Sequence, residues 1–172
     1  NGDALPGWLS FDGATRTFTG TPANGDVGTL TVAVTATDGS GASVSDTFDI
    51  VVGNVNDAPV FTSNPINKAG ATEDAAYTGQ TLAGTATDAD AGTTLTYGIS
   101  GETAANGVVS KVGTYGTLAV TEASGAYTFT PNAAAINALS ASTTETFEVT
   151  VSDGTATTRA NVVINLTAVN DA

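Results

Sequence analysis

Alternation of apolar and polar positions marks the first long element. Leu30, Val32, Val34 and Ala36 alternate with Thr29, Thr31, Thr35 and Thr37, the pattern of a strand with one face buried. Asp38-Gly39 follows as a turn signal, and Phe48, Ile50 and Val52 form the inward face of a returning strand. The arrangement recurs near the end of the chain. Phe147, Val149 and Val151 run up, Asp153-Gly154 turns, and Val162, Ile164 and Leu166 come back. Each hairpin is followed by one phrase, Asn54-Val55-Asn56-Asp57-Ala58-Pro59 in the first case and Val169-Asn170-Asp171-Ala172 in the second. A repeated seam after a repeated hairpin predicts two successive β-domains.

Between the seams, strand patterns fall near 60–62, 75–78, 82–87, 94–100, 108–112, 117–121, 126–130, 144–152 and 159–167. Only 132–139, after Pro131, reads as helix, of one or two turns. Short strands with turns at this spacing predict a β-sandwich. The expected division is 1–57 and 58–172, the second domain complete. The first holds 8–11, 16–19 and the hairpin, about four strands where a sandwich needs about seven. Its opening strands are expected upstream of residue 1 or from another chain. The chain has no Met, which fits a slice of a longer polypeptide.

Composition narrows the chemistry. No Cys and no His exclude disulfides, Cys/His zinc sites and His-dependent triads. A formal charge of -13, from 17 acidic against 4 basic residues, disfavours nucleic acid and anionic membranes and favours divalent cations. No stretch reaches the roughly 20 apolar residues of a membrane span. At 41% hydrophobic residues the chain is too apolar for compositional disorder.

Asp88 and Asp90, two apart on an extended loop, put both carboxylates on one side. Calcium takes about 6–8 oxygens, amide and backbone carbonyls included. Asn56 and Asp57 supply oxygens of each kind. The plain alternative is a solvated turn at Asp88-Ala89-Asp90-Ala91-Gly92. Asp38, Asp153 and Glu73-Asp74 are first of all turn residues. Trp8, among Leu5, Leu9 and Phe11, reads as core ahead of a sugar-stacking platform; Tyr97 and Tyr127 read as packing. The acidic residues lie in turns and linkers with no aromatic cleft around them, which argues against catalysis.

Taken in order, these phrases resemble the bacterial forms of the cadherin superfamily. Residues 1–57 are similar to the C-terminal part of a dystroglycan-type cadherin-like domain, through Leu5-Pro6-Gly7-Trp8-Leu9-Ser10-Phe11-Asp12 and Thr15-Arg16-Thr17-Phe18-Thr19-Gly20-Thr21-Pro22. Residues 58–172 resemble the VCBS-type repeat of giant adhesins, through Gly84-Thr85-Ala86-Thr87-Asp88-Ala89-Asp90, Leu95-Thr96-Tyr97 and Gly125-Ala126-Tyr127-Thr128-Phe129-Thr130-Pro131-Asn132. The resemblance implies tandem immunoglobulin/cadherin-like sandwiches, extracellular or on the cell surface, with Ca2+ at their junctions. It implies that Asn56, Asp57, Asp88, Asp90 and Asp153 converge on an ion, and that Glu73 reaches the following junction near Asp171. Asn54 stands where cadherins usually have Asp, and the Asp-Arg-Glu element is absent, so one or two ions per junction are expected.

The leading expectation is therefore a calcium-rigidified structural segment of a bacterial adhesin or fibre that extends a distal tip or mediates cell adhesion, and not an enzyme. Its expected partners are neighbouring repeats, identical chains through strand complementation or homophilic contact, and extracellular polysaccharide. The rival readings are a carbohydrate-binding or homophilic recognition module, and an accessory segment of a large secreted hydrolase.

Overall fold

The computed structural model describes residues 4–72 and 76–168. The chain divides into two compact units, Asn1–Asn56 and Asp57–Ala172.

In the first unit, β1 (Leu9–Asp12) pairs antiparallel with β2 (Thr17–Gly20), and β3 (Gly28–Thr37) pairs antiparallel with β4 (Ser43–Val52). The turn after β1 is closed by Asp12, whose Oδ1 accepts the N–H groups of Ala14 (2.8 Å) and Thr15 (3.3 Å). The β3–β4 turn is a longer loop than Asp-Gly alone predicts, because Asp38 organises it. Its Oδ1 accepts N–H bonds from Ser40 and Ala42, both at 2.9 Å, and the Ser40 hydroxyl at 2.7 Å. Those bonds, the Ser40 hydroxyl foremost, hold the Asp38 carboxyl below the usual aspartate value. One face of β3–β4 is a ladder of polar pairs: Thr31 with Asp49 (2.6 Å), Thr35 with Ser45 (2.7 Å) and Thr37 with Ser43 (2.9 Å). On the other face Phe48 meets Phe18 edge-on at 5.5 Å, and Phe18 meets Phe11 at 4.5 Å. Leu9 and Val32 are buried, but Phe48 is 42% exposed. Trp8 is half-buried against Gly20, not enclosed as a core residue, because the two described hairpins do not surround it.

The second unit is a two-sheet sandwich. One sheet has the order β10 (Val108–Val112), β11 (Gly116–Thr121), β12 (Ala126–Pro131), β7 (Tyr77–Thr81). The other runs β6 (Ile66–Ala71), β14 (Thr157–Leu166), β13 (Thr143–Ser152), β9 (Thr96–Ile99). A short ladder joins β5 (Val60–Phe61) to β8 (Ala86–Thr87). Alternate residues of β13 and β14 point inward, so Phe147, Val149, Val151, Val162, Ile164 and Leu166 are all at most 3% exposed. Phe129 packs edge-on against Phe147 at 6.1 Å. Helix α1 (Ala133–Asn137) is capped by Asn132 and buries Ile136. The expected strand over 82–87 shrinks to β8, because 82–85 forms a turn in which Leu82 O accepts from both the N–H and the hydroxyl of Thr85. β6 was not expected; it pairs parallel with β14, Val162 opposite Ile66.

Candidate metal centre

The β5–β8 ladder determines where the chain enters the second unit. Antiparallel pairing of Val60 with Thr87 brings the residues just before β5 beside those just after β8, and buried Pro59 fixes the approach. Asp57 thereby reaches the Asp88–Asp90 loop. Its N–H donates to Asp90 Oδ2 at 2.8 Å. Within the loop, the Asp90 N–H donates to Asp88 Oδ1 at 2.8 Å. Gly92, at φ 79°, turns the chain away, a conformation glycine adopts without steric cost.

Each carboxylate is thus tied down by one oxygen. The other two oxygens, Asp88 Oδ2 and Asp90 Oδ1, are buried and accept no hydrogen bond. Asp90 as a whole is only 9% exposed. A buried anionic oxygen with no donor costs several kcal/mol. A hard cation removes that penalty, and every donor at this place is oxygen in a chain without Cys or His. The residues present therefore fit calcium better than any softer metal.

Asn56 and Asp57 lie in the entering segment, and each makes interactions of its own. Asp153 caps its own turn, with Oδ1 accepting the N–H groups of Thr155 and Ala156 at 2.6 Å. Among the described residues, no three acidic side chains gather as a metal cluster. What comes together is the Asp88/Asp90 pair with the backbone of Asp57. Further oxygens for an ion would come from carbonyls, amides or water. Glu73 and Asp171 lie outside the described residues.

The sequence reading missed a buried acid elsewhere. Glu145 is 9% exposed, and its carboxylate accepts from the N–H of Thr114 and, at 3.2 and 3.1 Å, from that of Tyr115. It ties the β10–β11 turn to the other sheet. The available signal was its parity: Glu145 stands two residues before Phe147, on the inward face. Tyr97 and Tyr127 are buried as packing residues, and burial raises the pKa of both phenols.

The fold and this carboxylate pair define an all-β protein of the immunoglobulin-like and cadherin-like kind. The model of the bacterial cadherin-like domain family matches residues 56–168, well over half of the chain, and the chain belongs to that family. The model described as "Putative Ig domain" matches residues 1–53. A search of the curated proteins finds no match. Among solved structures, the chain is similar to protocadherin gamma B2 extracellular cadherin domains 1–5, at 17% identity and TM-score 0.60, over 95% of this chain and 31% of that one. It is similar to human protocadherin-24 EC1-2 at 15% identity and TM-score 0.53, over 98% of this chain and 80% of that one. An endo-fucoidan hydrolase of glycoside hydrolase family 107 matches at 23% identity and TM-score 0.42, over 96% of this chain; the chain spans only 23% of that hydrolase. At such identities the protocadherins show the fold alone.

Proposed function

We propose that this chain is a calcium-stiffened structural segment of a bacterial surface or secreted adhesin, carrying a distal tip or contributing to a fibre. One observation carries the reading: two buried carboxylate oxygens, Asp88 Oδ2 and Asp90 Oδ1, lack any donor at the point where the chain enters the second unit. An ion bound there neutralises the pair and fastens the entering segment, already held by the Asp57–Asp90 bond, to the sandwich. Membership of a bacterial cadherin-like family supports repeat-built, extracellular use. So does the repeated seam. The role proposed is mechanical and not catalytic: among the described residues Asp12, Asp38, Asp153 and Glu145 hold turns, Glu102 and Glu148 make surface ion pairs, and Asp88 and Asp90 stand at this entry point.

Thermal melting with EDTA and with millimolar calcium tests the reading. A ligand restricted to the folded form stabilises by about 2.7 kcal/mol at a hundredfold excess over Kd. Calcium should raise the melting temperature of the second unit by several degrees. Asp88→Asn or Asp90→Asn should remove the rise, and Asp12→Asn should leave it. An unchanged midpoint in the unaltered chain refutes the proposal.

A further inference from the structure

The second unit has a cleft of about 290 Å³ beside β9, the edge strand of its sheet. That is the small end of ligand pockets, which start near about 300 Å³, and leaves room for one sugar-sized ring. Thr96 and Gly98 of β9 and Thr150 and Ser152 of β13 line one side, on the face turned away from the core. Gly98 stands opposite Thr150, and its lack of a side chain leaves the Thr150 hydroxyl uncovered; a Cβ at 98 would lie 2.8 Å from Thr150 Oγ1. Glu102 and Glu122 line the other side.

The two glutamates differ in their partners. Lys111 Nζ stands 3.3 Å from Glu102 Oε1 and compensates its charge. Glu122 is pinned through its backbone, its N–H donating to Gly107 O and its carbonyl accepting from the Tyr97 N–H, both at 2.9 Å. Among the described residues, nothing bonds its half-buried carboxylate, and nothing bonds the Thr150 hydroxyl. The cleft therefore carries one uncompensated carboxylate on a fixed backbone beside open hydroxyls. A hard divalent cation wants about 6–8 oxygens and several charges, and no three acids gather among the described residues. In a chain of formal charge -13 an anionic ligand is repelled. The complement is a small ligand with one positive charge and several hydroxyls. We propose that this cleft binds a protonated amino sugar residue, its ammonium on Glu122 and its ring hydroxyls on Thr150 and its neighbours. The proposal does not depend on the calcium reading, which concerns Asp57, Asp88 and Asp90.

The test uses the full 172-residue chain, the glucosamine trimer and its fully N-acetylated form, which keeps the rings and loses the charge. Backbone amides are followed by NMR at a pH of about 6, where an amine is protonated and carboxylates are not. Titrations are run in EDTA and in millimolar calcium. The glucosamine trimer should give saturable shifts at 96–98, 122 and 150–152 with the same Kd in both buffers, and the acetylated trimer should bind at least about tenfold more weakly. Glu122→Gln, which keeps both backbone bonds, should weaken the glucosamine trimer about tenfold or more, the loss of one charge-assisted bond. Thr150→Val should weaken it severalfold, and Asp46→Asn should leave it unchanged. Equal binding of the two trimers, binding of neither, shifts that survive Glu122→Gln, or displacement of the sugar by calcium would each overturn the proposal.

Discussion

At the scale of single residues, what matters is which acids have donors. Glu145 is buried with its carboxylate satisfied by the N–H groups of Thr114 and Tyr115, while half-buried Asp88 and buried Asp90 each keep one buried oxygen unsatisfied. The first arrangement is structural and the second points to a ligand. Glu145→Ala strands those turn N–H groups and should cost the second unit about 3 kcal/mol in urea denaturation. Glu148→Ala removes only a surface pair with Arg159 at 3.4 Å and should cost less than about 1 kcal/mol. Asp38 gives a pH test. Its folded pKa is lowered, first by the Ser40 hydroxyl. Its contribution is therefore complete above the ordinary aspartate value and is lost as pH falls through the folded one. NMR titration should place its midpoint below that of an unstructured aspartate, and Ser40→Ala should move it part of the way back, because the N–H bonds from residue 40 and Ala42 remain.

At the scale of elements, the long hairpins were legible and the short pieces were not. β13 and β14 declare themselves by alternation, because each has one face in the core and one in solvent. β6 escaped because Ile66-Asn67-Lys68-Ala69-Gly70-Ala71 has little strand preference of its own; its parallel place beside β14 is set by a distant partner. The Asp88/Asp90 pair was legible from its spacing, but its tie to the Asp57 amide was not, since that bond joins residues brought together only by the β5–β8 ladder. The two hairpins also make a matched experiment. Ile164→Ala, at a site 0% exposed, should cost about 3–4 kcal/mol. Ile50→Ala, at the half-buried equivalent, should cost less than half as much. Equal losses would mean that the first hairpin is as well enclosed as the second.

For the whole molecule, the two units should differ in cooperativity. The second has a closed core between four-stranded sheets; the described part of the first has two two-stranded sheets with Phe11 and Phe48 at 40% and 42% exposure. Amide exchange on dilute chain should show strong protection across β13–β14 and at least about tenfold faster exchange across β3–β4. The central claim is that the carboxylates at the entrance of the second unit bind calcium. The most direct measurement is a calcium titration of the intact chain followed at the backbone amides. The account predicts saturable shifts at Asp57 and Asp90, whose N–H groups donate to Asp90 and Asp88, and their loss in Asp90→Asn but not in Asp46→Asn. No saturable shift up to millimolar calcium, or shifts that persist in Asp90→Asn, would contradict it.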